Sequence, residues 1–221
     1  MSTGPTSGER ERLVRRFEDN FKEFRSLFPS QTPTFFRTIK AASKSVLREK
    51  SPLKPGVILL TSSDRPTLDC IARRVASLSS AAYGSRAFVD ISKGNLSAFE
   101  DHSEVKKYLE RELRAGLTSG ETIDITMQVN FRLSFEMFQF LDKVVLIQDI
   151  DAIDGRAFML FHAFCDNEHA PFKDSIIIFT LETTDVQSDT EVRPQIRLNA
   201  SLCCVVFVFF LDRRLLARCV E

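Results

Sequence analysis

The chain has 221 residues, with 30 Lys and Arg against 30 Asp and Glu, so its formal net charge is zero. That balance argues against a general nucleic-acid coat or a polybasic membrane surface, both of which need a single-sign excess, although it leaves room for a local patch. At about 150 residues per domain the length fits one domain plus an extension, and 43% hydrophobic with 27% charged residues suffices for a buried core. No apolar run approaches the roughly 20 residues that span a bilayer, since Leu202–Leu211 is half that length, and residues 1–20 hold no apolar stretch of signal-peptide type.

Residues 1–9 read as a flexible lead, and the whole of 1–19 as a lead that turns helical toward its end. Val14, Phe17, Phe21, Phe24 and Phe28 then recur at helical spacing, and Pro29 ends that helix. Thr32 and Pro33 have the order of an N-cap and a first helical residue. Phe35, Ile39, Ala42 and Val46 form the stripe of the second helix.

From Pro55 the pattern changes. Val57–Leu60 is a continuous apolar run, as expected of a strand covered on both faces. A turn at 61–66 leads to a helix with Leu68, Ile71, Val75 and Leu78 inward. Ala87–Ile91 reads as a strand, and 103–115 as a helix stopped by Gly116. Val144–Ile147 is another buried strand, 156–164 a helix, and Ser175–Thr180 a fourth strand. Alternating strands and helices predict an α/β fold, a parallel sheet with helices on both faces, preceded by a helical extension. Two segments break the rhythm. Residues 123–135 alternate apolar and polar, the mark of a half-buried strand or hairpin arm. Residues 202–211 form an isolated apolar block that could supply a final strand and is also aggregation-prone.

The first strand–turn–helix is where a nucleotide-binding α/β protein carries its phosphate loop, with glycines and a Lys-Ser/Thr pair. Thr61-Ser62-Ser63-Asp64-Arg65-Pro66 has neither glycine nor lysine, Asp64 repels phosphate, and Pro66 lacks an N–H. Asp149, after the run 144–147, stands where an ATPase would bind magnesium through an acid. Without a phosphate loop it has little to act on, and the preferred reading is a buried strand whose polar end meets solvent or caps the next helix. His162, Cys165 and His169 approach metal spacing, but no fourth ligand is near and no metal site or cofactor is assigned. No thiol-hydrolase signature surrounds Cys165, and no G-x-S-x-G occurs. Of five cysteines at least one has no internal partner, and sequons at Asn95 and Asn199 permit a luminal location without showing one.

Residues 161–174, Phe-His-Ala-Phe-Cys-Asp-Asn-Glu-His-Ala-Pro-Phe-Lys-Asp, carry an uncommon pattern: Cys165, Asp166, Glu168, Ala170, Phe172, Lys173 and Asp174. Together with Phe28-Pro29-Ser30-Gln31, the Phe35-Phe36 helix and the Val57–Thr61 strand, it resembles the luminal domain of the torsin-interacting proteins, the lamina-associated polypeptide 1 family. The resemblance spans residues 20–185 apart from 121–142, and places the domain at 20–221 with 121–142 as an insertion. Glu182–Val192 is shorter than the family's corresponding section, and 193–221 matches loosely.

The resemblance implies an AAA+-like, three-layer domain that has lost its phosphate loop, a pseudo-ATPase with no catalysis or cofactor of its own. It implies residence in the lumen of the nuclear envelope or endoplasmic reticulum, with membrane association only through an anchor not present in this stretch. The implied partner is a torsin AAA+ ATPase, which such a domain activates by supplying an arginine finger in trans. Arg197 matches the finger's position, with Arg193 in reserve, and the motif cysteine Cys165 would pair with Cys219. The alternatives are a P-loop-like nucleotide hydrolase using Asp149 with an atypical loop, and a purely structural nuclear-envelope scaffold.

Overall fold

A computed structural model describes residues 6–85, 87–92, 101–118, 143–153, 155–166, 170–183 and 207–210. In chain order the elements are α1 (Ser7–Leu27), α2 (Pro33–Arg48), β1 (Gly56–Ser62), α3 (Arg65–Tyr83), β2 (Val89–Ile91) and α4 (His102–Thr118). After these come β3 (Val144–Ile147), a 3₁₀ turn (Ile150–Ala152), α5 (Gly155–Phe158), α6 (Leu160–Cys165), β4 (Ile176–Glu182) and β5 (Phe207–Phe210).

The five strands run parallel in the order β2-β3-β4-β1-β5. Strand side chains alternate between faces, so a continuous apolar run feeds two cores at once. Ile58, Leu60, Val144, Leu146, Ile176 and Ile178 face α1, α2 and α3. Val57, Leu59, Val145, Ile147, Ile177 and Phe179 face α4, α5 and α6. The result is the three-layer α/β arrangement expected. Residues 207–210, from the apolar block of the tail, extend the sheet beside β1 with Ile58 opposite Phe207. The proposed insertion 121–142 lies outside the described residues.

Three local readings change. The first helix begins before residue 10, because Thr6 and Glu9 form a capping box: Glu9 N–H donates to Thr6 Oγ1 at 3.4 Å, and Thr6 N–H to Glu9 Oε2 at 2.6 Å. Gly116 does not end α4, which continues to Thr118. A Cβ there would lie 1.9 Å from Val89 Cγ2, so the missing side chain is what lets α4 approach β2. The left-handed terminator is Gly84 after α3, at φ 85°, its N–H bonded to Ala81 O. Finally, the helix expected over 156–164 is two short ones. Between them His162 N–H reaches back only three residues to Met159 O, a 3₁₀ tightening.

The six phenylalanines of α1, α2 and their connection, Phe17, Phe21, Phe24, Phe28, Phe35 and Phe36, are all buried. Their rings pack at centroid distances of 5.1–6.2 Å, several edge to face. This cluster holds the helical extension on the sheet. Among the described residues, no helix is long and apolar enough to cross a membrane.

Candidate functional site

The C-terminal ends of β1, β3 and β4 meet the first turn of α3, where a phosphate loop would lie. A helix N-terminus attracts anions because its first N–H groups have no intrahelical partner. Here the chain uses those donors itself. Asp64 is the N-cap: Thr67 N–H donates to its Oδ2 at 3.1 Å, and its own N–H donates to Ser62 Oγ at 3.0 Å. Pro66, in the first turn, has no N–H to offer. The sequence expectation that Asp64 and Pro66 oppose phosphate thus acquires a geometry.

Arg65, the first residue of α3, points its guanidinium across the strand ends. Nη2 bonds Asp149 Oδ2, Nη1 lies 3.6 Å from Glu182 Oε2, and Nε lies 3.7 Å from Asp69 Oδ2. Asp149 is 3% exposed and sits in the left-handed region at φ 56°, its N–H donating to Thr180 Oγ1 at 3.0 Å. The reading of Asp149 as a solvent-facing strand end fails, and its reading as a cap holds for the backbone alone: Asp149 is the N-cap of the 3₁₀ turn, its carbonyl accepting Ala152 N–H at 2.9 Å. The residue is buried, and its side chain makes no capping bond to the 3₁₀ turn. It pairs with Arg65 instead. Bonding to Asp149 raises the Arg65 pKa above its ordinary value, so the guanidinium is firmly charged. Burial pushes Asp69 up, against the pull of Arg65, and Asp69 Oδ1 is buried with no hydrogen-bond partner.

The neighbouring strand end is closed in the same way. Gln148 Nε2 donates to Asp90 Oδ1 at 2.6 Å, and Arg73 bonds Asp90 Oδ2. Both arginines at this edge are thus engaged by the chain's own carboxylates, and Asp69, Asp90, Asp149 and Glu182 outnumber Arg65 and Arg73. Among the described residues, no group of three or more His, Cys, Asp or Glu is placed to hold a metal ion.

The 165–174 motif lies at the opposite end of the sheet, where it joins α6 to β4. Cys165 is buried in the second core, Asp166 follows as the α6 C-cap, and Ala170 is buried. Phe172 stacks on Phe164 at 5.9 Å. Asp174 takes Lys143 Nζ on its carboxylate at 2.8 Å and Tyr83 Oη–H on its carbonyl at 2.9 Å. Burial, reinforced by the Asp174 charge, drives the Tyr83 phenol far above its usual pKa. Lys173 is half-buried. The motif thus ties the sheet's lower edge to the end of α3. Glu168, His169, Arg193, Arg197, Cys219 and both sequons lie outside the described residues.

Residues 2–197 match the family model described as lamina-associated polypeptide 1, AAA+ activator domain. The chain belongs to that family. This activator domain is also similar to Torsin-1A-interacting protein 1 of Mus musculus and of Rattus norvegicus, each 22% identical over 172 residues. It is 20% identical to the Homo sapiens protein of that name over the same length. Each match covers 76% of this chain and 25% of the relative, so the activator domain corresponds to about a quarter of those proteins.

Arg65 was the residue that sequence reasoning passed over. It stands in the turn searched for a lysine, but its pairing with Asp149 spans 84 positions and becomes visible only when β1 and β3 are placed in one sheet.

Proposed function

We propose that this domain is a non-catalytic activator of a torsin-type AAA+ ATPase. The observation that carries the reading is the Arg65–Asp149 pair. It fills, with the chain's own charges, the place where a nucleotide's phosphates and magnesium would sit. A domain closed to nucleotide can still serve a neighbour's site. A guanidinium presented in trans neutralises charge on the transferring phosphoryl group, an effect of about 10³–10⁵ in rate. Arg197 is the candidate for that role and Arg193 the reserve. Membership of the AAA+ activator domain family and the names of the relatives support the partner class. The lumen of the nuclear envelope or endoplasmic reticulum, an oxidising compartment, is the proposed location, with an anchor outside this stretch. Cys165 carries a buried thiol in this structure, so the proposed Cys165–Cys219 disulfide would form only on oxidation in that compartment.

The test is the ATP turnover of a torsin with and without the full chain. Turnover should rise with the parent chain, and Arg197→Ala should abolish the rise while sparing binding. Normal stimulation by Arg197→Ala with loss in Arg193→Ala would move the role to Arg193. Binding without stimulation would make the domain a scaffold. Tight magnesium–ATP binding by the chain alone would favour a hydrolase acting through Asp149. Mass mapping without reductant tests the Cys165–Cys219 bond separately.

A further inference from the structure

The zero net charge conceals an uneven distribution. Residues 1–50, comprising α1, α2 and their flanks, hold eleven Lys and Arg against six Asp and Glu, leaving nineteen against twenty-four in the remainder. A cleft of about 540 Å³ opens between the first turns of α1 and the end of α2. Arg10, Arg15, Arg48 and Lys50 line it, together with Glu11 and Glu18. Glu18 is already engaged, bonded to Lys44 with Lys40 at 3.5 Å, and Lys44 holds its carboxyl below the usual range. The four basic residues of the cleft make no ion pair among the described residues.

Arg10 is the informative member. It is 7% exposed, yet no described carboxylate meets its guanidinium. Nη2 donates to Lys50 O at 2.9 Å, and Nε is buried without a partner. A guanidinium is always charged, and burying it without a counter-charge is costly. Among the described residues the other half of the pair is missing. Arg15, Arg48 and Lys50 are exposed around the cleft and are free to close on an anionic group.

We infer that this cleft binds a phosphate-bearing anion. One carboxylate could match Arg10 but not four converging cations. Phosphate offers more charge and more acceptor oxygens, arranged for the forked donors of arginine. The cleft is also roomier than a lone ion needs, so a phosphorylated headgroup or small molecule fits. This site lies on the helical extension and is separate from the Arg65–Asp149 edge.

The experiment titrates the full chain calorimetrically with pyrophosphate. In parallel it measures binding to phosphatidylcholine vesicles containing phosphatidic acid in a four-to-one ratio. Pyrophosphate should bind saturably, Arg48→Gln should weaken it about tenfold, and Arg111→Gln, on α4 outside the cleft, should leave it unchanged. Arg10→Met should abolish binding. If that variant fails to fold, the exposed double variant Arg15→Gln/Arg48→Gln carries the test. Vesicle binding with the same variant dependence assigns the phosphate to a lipid headgroup, and pyrophosphate binding alone assigns it to a soluble ligand. Absence of saturable binding, equal binding by the double variant, or tighter binding of a polyglutamate peptide would overturn the assignment.

Discussion

The Arg65 guanidinium bonds the carboxylate of Asp149, 84 positions further along the chain, and so joins the start of α3 to the end of β3. Asp149 is buried while the Arg65 side chain is 42% exposed. Removing the arginine strands a buried carboxylate, and solvent at the arginine end moderates the loss. Arg65→Met should therefore cost about 1–3 kcal/mol, below the range for fully buried pairs. Asp149→Asn in the same background should recover much of it. Urea denaturation of both single variants and the double variant measures the coupling, which is expected at about 1 kcal/mol or more. Strict additivity would mean that the pair is not a unit.

Asp69 makes a pH prediction of definite sign. Burial holds its carboxyl above the ordinary range, and the charges of Asp149 and Glu182 push the same way, against Arg65. The folded state thus binds this proton more tightly than the unfolded chain does. Its contribution is favourable below the unfolded value of about 3.9 and is lost as pH rises through the higher folded value. Asp69→Asn should accordingly be more stable than the parent near neutral pH, with the difference closing toward about pH 3. Urea midpoints at the two pH values check it. A less stable Asn variant at neutral pH would show that the Arg65 contact outweighs burial.

The parallel sheet was legible because its strands are continuous apolar runs, and a strand buried on both faces can take no other pattern. Val57–Leu60, Val144–Ile147 and Ile176–Phe179 all read this way and all lie at the sheet's centre. The absence of a phosphate loop was equally plain from Asp64 and Pro66. What fills the gap was not, because a pairing between Arg65 and Asp149 is set by topology rather than by spacing. Arg10 escaped for a different reason. On an amphipathic helix a charged residue reads as solvated, and only the placement of α1 against the segment around Lys50 buries it. Gly116 was read as a stop from local preference alone, whereas its role is a contact with β2, far away in sequence.

Helix starts offer a cleaner test of sequence rules. Thr32 Oγ1 accepts Phe35 N–H at 3.2 Å, as its position before Pro33 predicted, and Asp64 caps α3 likewise. Either residue changed to alanine leaves a first-turn donor without its partner, so Thr32→Ala and Asp64→Ala should each cost about 1 kcal/mol. Thr32→Ser keeps the oxygen and should lose far less. Thermal melts of the three variants decide the point, and an unaffected Thr32→Ala would show that solvent caps α2 equally well.

Gly116→Ala tests how closely α4 rides on β2. The added Cβ would lie 1.9 Å from Val89 Cγ2 and 3.3 Å from Val89 Cβ, so either the valine or the helix must shift. Alanine ordinarily stabilises a helix interior by about 1 kcal/mol over glycine. Here overpacking of about 1–3 kcal/mol should reverse that sign. Val89→Ala removes the clashing methyl, so in that background Gly116→Ala should be neutral or stabilising. Denaturant midpoints of the four proteins in this cycle separate the two effects. If Gly116→Ala stabilises the chain with Val89 intact, α4 and β2 are not in the close contact described, and Gly116 is an ordinary helical glycine after all.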